Sequence, residues 1–352
     1  MSMSDETAPV SARTARQRPV TLLDVARLAG VSAATVSRAL EKPKSVAEAT
    51  RARVMEAVVA CGYTPNAVAR NLRKQETRLI TILLADVTNP FFNEIVRGIE
   101  QVARENNYSV LLADSENDPG RANAYGSLLA ARRTDGMILL NGRLPVGLQL
   151  PVEKSVDAPI VVACEYLPNV DLPTVQIDNI AAAKQAAEHL LRLGHRRIGF
   201  VTGPVWNVLS RDRLYGYRDA VLERGLAFDL ALVVNGDFSI QSGIVATVSL
   251  LNLPSPPTAI FASNDEMAFG AIRAARDAGL RVPEDISVVG FDDIRFAAFV
   301  DPPLTTIRQP GQEIGRRAMG HLVKILGGER ITDRRMLLPT ELIVRGSTAA
   351  PR

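Results

Sequence analysis

From residue 78 onward the chain repeats one pattern: a short uncharged apolar run, a helical stretch, then another apolar run. The first series has runs at 79–85, 110–113, 137–140 and 160–163, with helical stretches over 92–105 and 120–132 between the first three. A second series has runs at 198–201, 233–234, 259–262 and 286–290, separated by helices near 180–193, 210–224, 240–251 and 266–279. Strands that are apolar throughout, rather than at alternate positions, must be covered on both faces. The pattern therefore predicts parallel, doubly wound sheets with helices on either side. Two such series, each of about a hundred residues, imply two similar α/β lobes. The tail adds a run at 304–308, a helix near 311–326 and a last strand-like run at 337–344.

Charge is distributed unevenly over the 352 residues. The formal total is +3, yet residues 13–78 hold ten Arg and three Lys against five acidic side chains, an excess of +8. Residues 79–352 sum to −3, so an anionic partner is expected for the head only. At 47% hydrophobic the chain is an ordinary globular one, long enough for two or three domains. The two cysteines, Cys61 and Cys164, are too few for a disulfide framework or a Cys-built zinc site, which fits a reduced compartment. No apolar signal segment lies in the first twenty residues and no uncharged 18-residue apolar run follows, so a cytoplasmic location is expected.

Residues 1–18 read as a disordered tail. Thr21 then stands as N-cap with Asp24 three residues on, and Leu22, Val25, Ala26 and Ala29 share one helix face up to Gly30. Ser32 caps a second short helix over 33–40. Lys42-Pro43-Lys44 breaks the chain before a third helix over 47–61 with Val54, Ala57, Val58 and Cys61 on one side. Three small helices joined this way predict a helix-turn-helix head over 19–65. Opposite Val36 and Ala39, the second helix presents Ala33, Ala34, Ser37 and Arg38, small or hydrogen-bonding groups with one Arg suited to guanine. An ordinary surface helix fits the same residues, but the surrounding +8 favours DNA. Next, Pro65 halts the structure and 67–72 is helix-forming, yet far below the ~12–15 residues a lone helix needs in water. This hinge, 66–77, is a linker at least, and on the sharper reading it becomes helical on DNA.

Several segments carry a family resemblance. Val20-Thr21-Leu22-Leu23-Asp24-Val25-Ala26, Val31-Ser32 through Ser37-Arg38, and Tyr63-Thr64-Pro65-Asn66 resemble the LacI/GalR family of bacterial transcriptional regulators. So do Asn89-Pro90-Phe91-Phe92, Asp135-Gly136-Met137-Ile138, Gly194-His195-Arg196-Arg197-Ile198-Gly199, and the stretch from Pro283-Glu284-Asp285 to Gly290-Phe291-Asp292. The motifs run in family order from about residue 19 to the C-terminus. Segments 172–179, 301–307 and 341–348 resemble most the cytidine-responsive branch of the family.

The resemblance implies a homodimeric repressor whose heads read a pseudo-palindromic operator. Ala33 and Ala34 fall where side chains select bases, and Arg38 matches a base-contacting Arg. Thr21, Ser32, Thr35, Ser37 and Asn66 fall at or near phosphate contacts. Ala69 and Leu72 lie in the hinge, and Leu72 matches a leucine wedged into the minor groove at a cost of roughly a few kcal/mol in unstacking. Where the family usually caps the third helix with Ser, this chain has Ala47; Ser45 with Glu48 is the expected substitute capping box. The core, 78–352, should be the two-lobed type I periplasmic-binding-protein-like fold. Its N-lobe should be about 78–177 plus 309–330 and its C-lobe about 178–307 plus 331–348.

Ligands of doubly wound sheets gather at the carboxyl ends of strands. Reading those ends assembles Phe91, Phe92, Cys164, Arg213, Phe238, Asn264 and Asp292, with the sole tryptophan, Trp206, in a loop at the same end. Each Phe singly reads as core. Aromatic planes collected with an Arg, an Asn and an Asp suit a ring bearing hydroxyls. By family position Phe92 and Phe238 would flank the ring, while Arg213 and Asp292 would bond its polar atoms. Cys164 replaces a usual Asp or Asn, which shifts attention to Glu165. The implied small-molecule effector is a nucleoside such as cytidine acting as inducer, with a sugar such as ribose second. No cofactor and no metal are expected. Asp265, Asp292 and Asp293 could be read as catalytic, but no nucleotide-binding, zinc-protease or serine-hydrolase motif accompanies them. The three histidines, His189, His195 and His321, read as solvated, so no enzyme is expected. A transport receptor would carry a signal segment and no basic head.

Overall fold

The computed structural model describes residue 18 and residues 20–63, 76–148, 158–168 and 170–352. The chain divides into two compact units, Met1–Gln75 and Glu76–Arg352. Within the first lie α1 (Leu22–Ala29), α2 (Ala33–Glu41) and α3 (Glu48–Cys61). The Asp24 carboxylate accepts from the Thr21 N–H (2.9 Å) and Thr21 hydroxyl (2.6 Å), which sets the start of α1. Gly30, at φ 63°, ends it in the left-handed conformation that a residue without Cβ adopts freely. Val25, Val36, Val54 and Tyr63 anchor a small core common to the helices. The capping box expected at α3 does not form: Ala47 sits at the N-cap, and Ser45 instead donates to the Lys42 carbonyl (2.7 Å), closing a tight turn. The expected tail before residue 18 lies outside the described residues.

In the second unit strands and helices alternate. The first half runs β1 (Leu79–Leu84), α4 (Phe91–Glu105), β2 (Ser109–Asp114), α5 (Pro119–Ala130), β3 (Gly136–Leu140), β4 (Ile160–Ala163) and β5 (Thr174–Ile177). The second half runs α6 (Asn179–Arg192), β6 (Ile198–Thr202), α7 (Val208–Glu223), β7 (Val233–Asn235), α8 (Ile240–Leu251), β8 (Ala259–Ala262), α9 (Asp265–Asp277) and β9 (Ser287–Asp292). The tail adds β10 (Thr305–Arg308), α10 (Gly311–Leu326), β11 (Arg335–Leu338) and β12 (Glu341–Ile343).

These strands make two sheets, ordered β11-β5-β4-β3-β1-β2 and β12-β10-β9-β8-β6-β7. Every described pairing is parallel except β12 against β10. Both faces are covered, as continuous apolar runs require. In β3, Ile138 and Leu140 join α4 and α10 side chains in one core, while Met137 and Leu139 join Ala122 of α5 in another. The helices α4 and α10 meet backbone to backbone: a Cβ on Gly315 would lie 2.0 Å from the Ile95 carbonyl oxygen.

The chain crosses between lobes after β5, after β10 and after β11. The last crossing corrects the expected lobe assignment. Residues 331–348 were expected in the C-lobe, with one strand over 337–344, yet β11 pairs with β5 in the first sheet and only β12 joins the second. Pro339 stands between them and has no N–H to continue a ladder, so the run divides there. Among the described residues no helix is long and apolar enough to cross a membrane.

Candidate functional site

In each sheet the strand order reverses beside the first strand, β3-β1-β2 in one and β8-β6-β7 in the other. At such a point the loops leave neighbouring strands in opposite directions and a crevice opens past the carboxyl ends. Here a cavity of about 530 Å³ draws its lining from both lobes, a volume within the range of small-molecule sites. All eight side chains expected at the strand ends border it. Phe91 and Phe92 open α4 directly after the β1 loop, their rings 5.6 Å apart. Cys164 follows β4 and Phe238 precedes α8. Asp292 ends β9, and Trp206 lies in the loop before α7. Arg213 stands inside α7 rather than in a loop.

Arg213 is the one cation among the described residues of the lining and is buried, with its guanidinium 3.7 Å from the centroid of the Phe291 ring. It donates through Nε to Asn179 Oδ1 (3.0 Å) and through Nη1 to the Ser263 carbonyl, and Nη1 lies 3.8 Å from Asp292 Oδ1. Gln309 donates to the same Asp292 oxygen at 2.7 Å. Asp292 is thus aimed by two lobes' worth of structure, and burial nevertheless pushes its carboxyl up to about 7. Asn264 borders the cavity and also makes structural bonds. Its Oδ1 accepts from the Met267 N–H (3.0 Å) as cap of α9, and its Nδ2 donates to the Phe238 carbonyl (2.8 Å). It therefore holds Phe238 in place.

Backbone strain concentrates at the same cavity. Cys164 (φ 69°), Phe238 (φ 74°) and Asp292 (φ 115°) all have positive φ without being glycine. Such conformations cost on the order of 1–3 kcal/mol each and persist where packing over-determines them. Gly203 makes room for one of them: a Cβ there would lie 2.2 Å from the Phe238 ring.

On one flank the lobes are tied across the cleft. The Arg143 guanidinium sits 3.8 Å from the Trp206 ring centroid. Asn207 Nδ2 donates to Glu165 Oε1 at 3.2 Å, and the Tyr166 hydroxyl, itself receiving a bond from Arg211, donates to Asp212 Oδ1 at 3.3 Å. Sequence reasoning raised Glu165 but missed Asn207, Asp86, Asp237 and Glu266, which also border the cavity. Their signal was the same as that of the residues found, a polar group just past a strand end. Nothing local separated them from ordinary helix caps.

Burial raises the Glu165 carboxyl to about 7, against the pull of the Asn207 amide and the Arg213 and Arg143 charges. A carboxyl whose folded pKa exceeds its ordinary value contributes stability below about pH 4 and loses it as pH rises through 7. Glu165→Gln keeps an acceptor for Asn207 and removes the titration. Its melting temperature relative to the parent should therefore climb between about pH 5 and pH 8, by up to ~3 kcal/mol of stability. A pH-independent difference in thermal unfolding would contradict this.

The other titratable candidates turn out structural. Asp265 is buried and accepts from the Ile294 N–H (2.8 Å) and Thr306 hydroxyl (2.6 Å), and Asp293 pairs with Arg308 and Arg345. The histidines are not solvated as expected. His195 is buried between Thr258, Ser287 and the Ala349 carbonyl, His189 bonds Thr348, and His321 is buried in α10. Each loses ease of protonation through burial. No cluster of three metal-ligating side chains occurs among the described residues.

In the head, α2 exposes Ala34 and Arg38, with Ser32 exposed at its N-cap. Ser32 accepts from the Thr35 N–H (3.2 Å), and the two hydroxyls lie 2.9 Å apart. Ala33 leans on the head's core, while Ser37, Thr35 and Thr21 are half-buried. Arg38 and Arg53, with Lys42 and Lys44, form no ion pair among the described residues, so their charge is available to an anion. Asn66, Ala69 and Leu72 lie outside the described residues.

Comparison with known proteins matches both units. Residues 21–66 match the family model "Bacterial regulatory proteins, lacI family", and residues 187–348 match a periplasmic binding protein-like domain. The chain is 43% identical over 335 residues to the HTH-type transcriptional repressor CytR of Escherichia coli (strain K12), covering 95% of this chain and 98% of that one. It is 38% identical to the ribose operon repressor of the same strain, over 93% of this chain and 99% of the relative. Among solved structures, the lac repressor dimer bound to operator and the anti-inducer ONPF superposes with a TM-score of 0.85 at 31% identity, covering 95% of this chain and 100% of that one.

Proposed function

Because this chain belongs to the lacI family of bacterial regulatory proteins, and so is a DNA-binding transcriptional repressor and not an enzyme, we propose that it works in the cytoplasm as an effector-released homodimer. In this reading Arg38, Ala33 and Ala34 read bases in the major groove. Thr21, Ser32, Thr35, Ser37 and Asn66 hold phosphates, and Ala69 and Leu72 belong to the hinge that engages the operator centre. The effector is a nucleoside, cytidine first, and it acts as inducer. One observation supports this most: Phe92 and Phe238 border a single cavity together with Arg213 and Asp292, two ring faces beside groups that bond hydroxyls. An effector that prefers one inter-lobe arrangement shifts the population toward it, and operator affinity changes by that coupling energy.

Ribose is the second reading, favoured by the 38% identity to a ribose operon repressor. Thermal unfolding of the full chain with each nucleoside and pentose separates the two. A ligand at 100 times its Kd should add about 2.7 kcal/mol. Stabilisation by cytidine, with release of a bound operator fragment, is the expected result. Stabilisation by ribose alone would replace the nucleoside reading, and enhanced retention of DNA would make the ligand a co-repressor.

A further inference from the structure

The cavity's electrostatics carry a consequence for what it admits. Among the described residues, six ionisable groups other than the Cys164 thiol border it: the carboxyls of Asp86, Glu165, Asp237, Glu266 and Asp292, and the guanidinium of Arg213. That guanidinium is already engaged with Asn179, Ser263 and Asp292. The neighbouring Arg143 is stacked on the Trp206 ring and does not itself border the cavity.

Helix N-termini are the other anion-binding device a fold of this type offers, through amides left without intrahelical partners. Four helices begin at this cavity, and in each one amide at the start is answered by a side chain of the same turn. Asn89 Oδ1 accepts from the Phe91 N–H (3.0 Å) and Asn207 Oδ1 from the Leu209 N–H (2.7 Å). Ser239 Oγ accepts from the Ser242 N–H (3.1 Å) and Asn264 Oδ1 from the Met267 N–H (3.0 Å). The first turn of α9 adds Asp265 and Glu266, so the positive end of its dipole is met by charge already present.

We propose that this cavity selects an uncharged, hydroxyl-rich ligand and rejects the phosphate ester of the same molecule. Carboxyl groups exchange hydrogen bonds with hydroxyl and amino groups, whereas a phosphate dianion would meet the acidic side chains of Asp86, Asp237 and Glu266 beside the Glu165 and Asp292 carboxyls, with no unengaged cation among the described residues of the lining. The regulator would then report the dephosphorylated pool. Phosphate-ester hydrolysis or uptake supplies its signal, and a kinase acting on the ligand extinguishes it. This rests on the reading of the cavity as the effector site.

The test uses the full chain and matched pairs, cytidine with its 5′-monophosphate and ribose with its 5-phosphate, titrated by calorimetry. In any pair that binds, the ester should be weaker by about 100-fold or more. Equal or tighter binding of the ester would overturn the proposal. Glu266→Lys, which supplies the missing cation, should narrow the preference at least about 10-fold; an unchanged preference would also count against it. Inorganic phosphate, followed by the emission of Trp206, is the arm that needs no effector. Because this is the only tryptophan and it borders the cavity, anion binding at the head is silent. No saturable change is expected, and a saturable one would refute the proposal. If neither cytidine nor ribose binds, the nucleoside and pentose readings fail while the phosphate titration still decides this one.

Discussion

Deleting residues 1–76 should abolish retention of operator DNA and leave a folded core that still melts cooperatively. The cut severs no strand, since the sheets begin at Leu79. It also spares the joint that fixes the start of β1, where the Thr77 and Arg78 N–H groups donate to the Asp135 carboxylate at 2.6 and 2.8 Å. What leaves is the head with its own core around Val25, Val36 and Val54, together with all but Arg78 of the basic excess that suits it to phosphates. The core left behind is net acidic, so even non-specific binding should vanish. In the intact protein, operator affinity should fall with salt at a log-log slope of about −0.9 per phosphate contact. Arg38→Ala should cost about 1–3 kcal/mol and relax discrimination at one base position. Electrophoretic mobility shifts check all three. Retention surviving in the truncated core would mean that the wrong unit has been assigned to DNA.

Arg213→Gln should be the most damaging single change in the core. The guanidinium acts on the carboxyls of both Glu165 and Asp292, and its bonds to Asn179 and Ser263 tie α6 to the end of β8. Removing one partner of a buried pair strands the other, at about 3–5 kcal/mol. Here the loss should depend on pH. The Asp292 carboxyl already sits at about 7 with Arg213 beside it, and without that charge it rises further. Below that value it is protonated and needs no partner, so the deficit should be small near pH 5 and largest near pH 8. The double variant with Asp292→Asn should recover part of it. Urea denaturation at both pH values measures this, and a pH-independent, additive loss would refute the pairing. Effector binding should be lost in the single variant under all conditions.

Much of the architecture could be read from periodicity. Apolar runs without charge located most of the core strands, because a parallel strand buried on both faces leaves no polar position to blur the signal. The eight cavity residues followed from a topological rule, that such sheets bind ligand past their carboxyl ends. The failures share a cause. Residues 337–344 read as one strand because nothing in an apolar run says which of two sheets will accept it. His195 read as solvated because its environment comes from Thr258, Ser287 and Ala349, up to 154 positions away.

Composition and local pattern were thus enough to settle that a basic helical head precedes two wound sheets, and which strand ends border one cavity. They act over a few residues, and both helix caps and strand burial are decided at that range. Folding decided the rest. It set the Asp292 and Glu165 carboxyls near 7 and stacked Arg143 on Trp206 across the cleft. Each of these depends on desolvation and on charges brought together from distant parts of the chain, and neither quantity exists until the lobes have assembled.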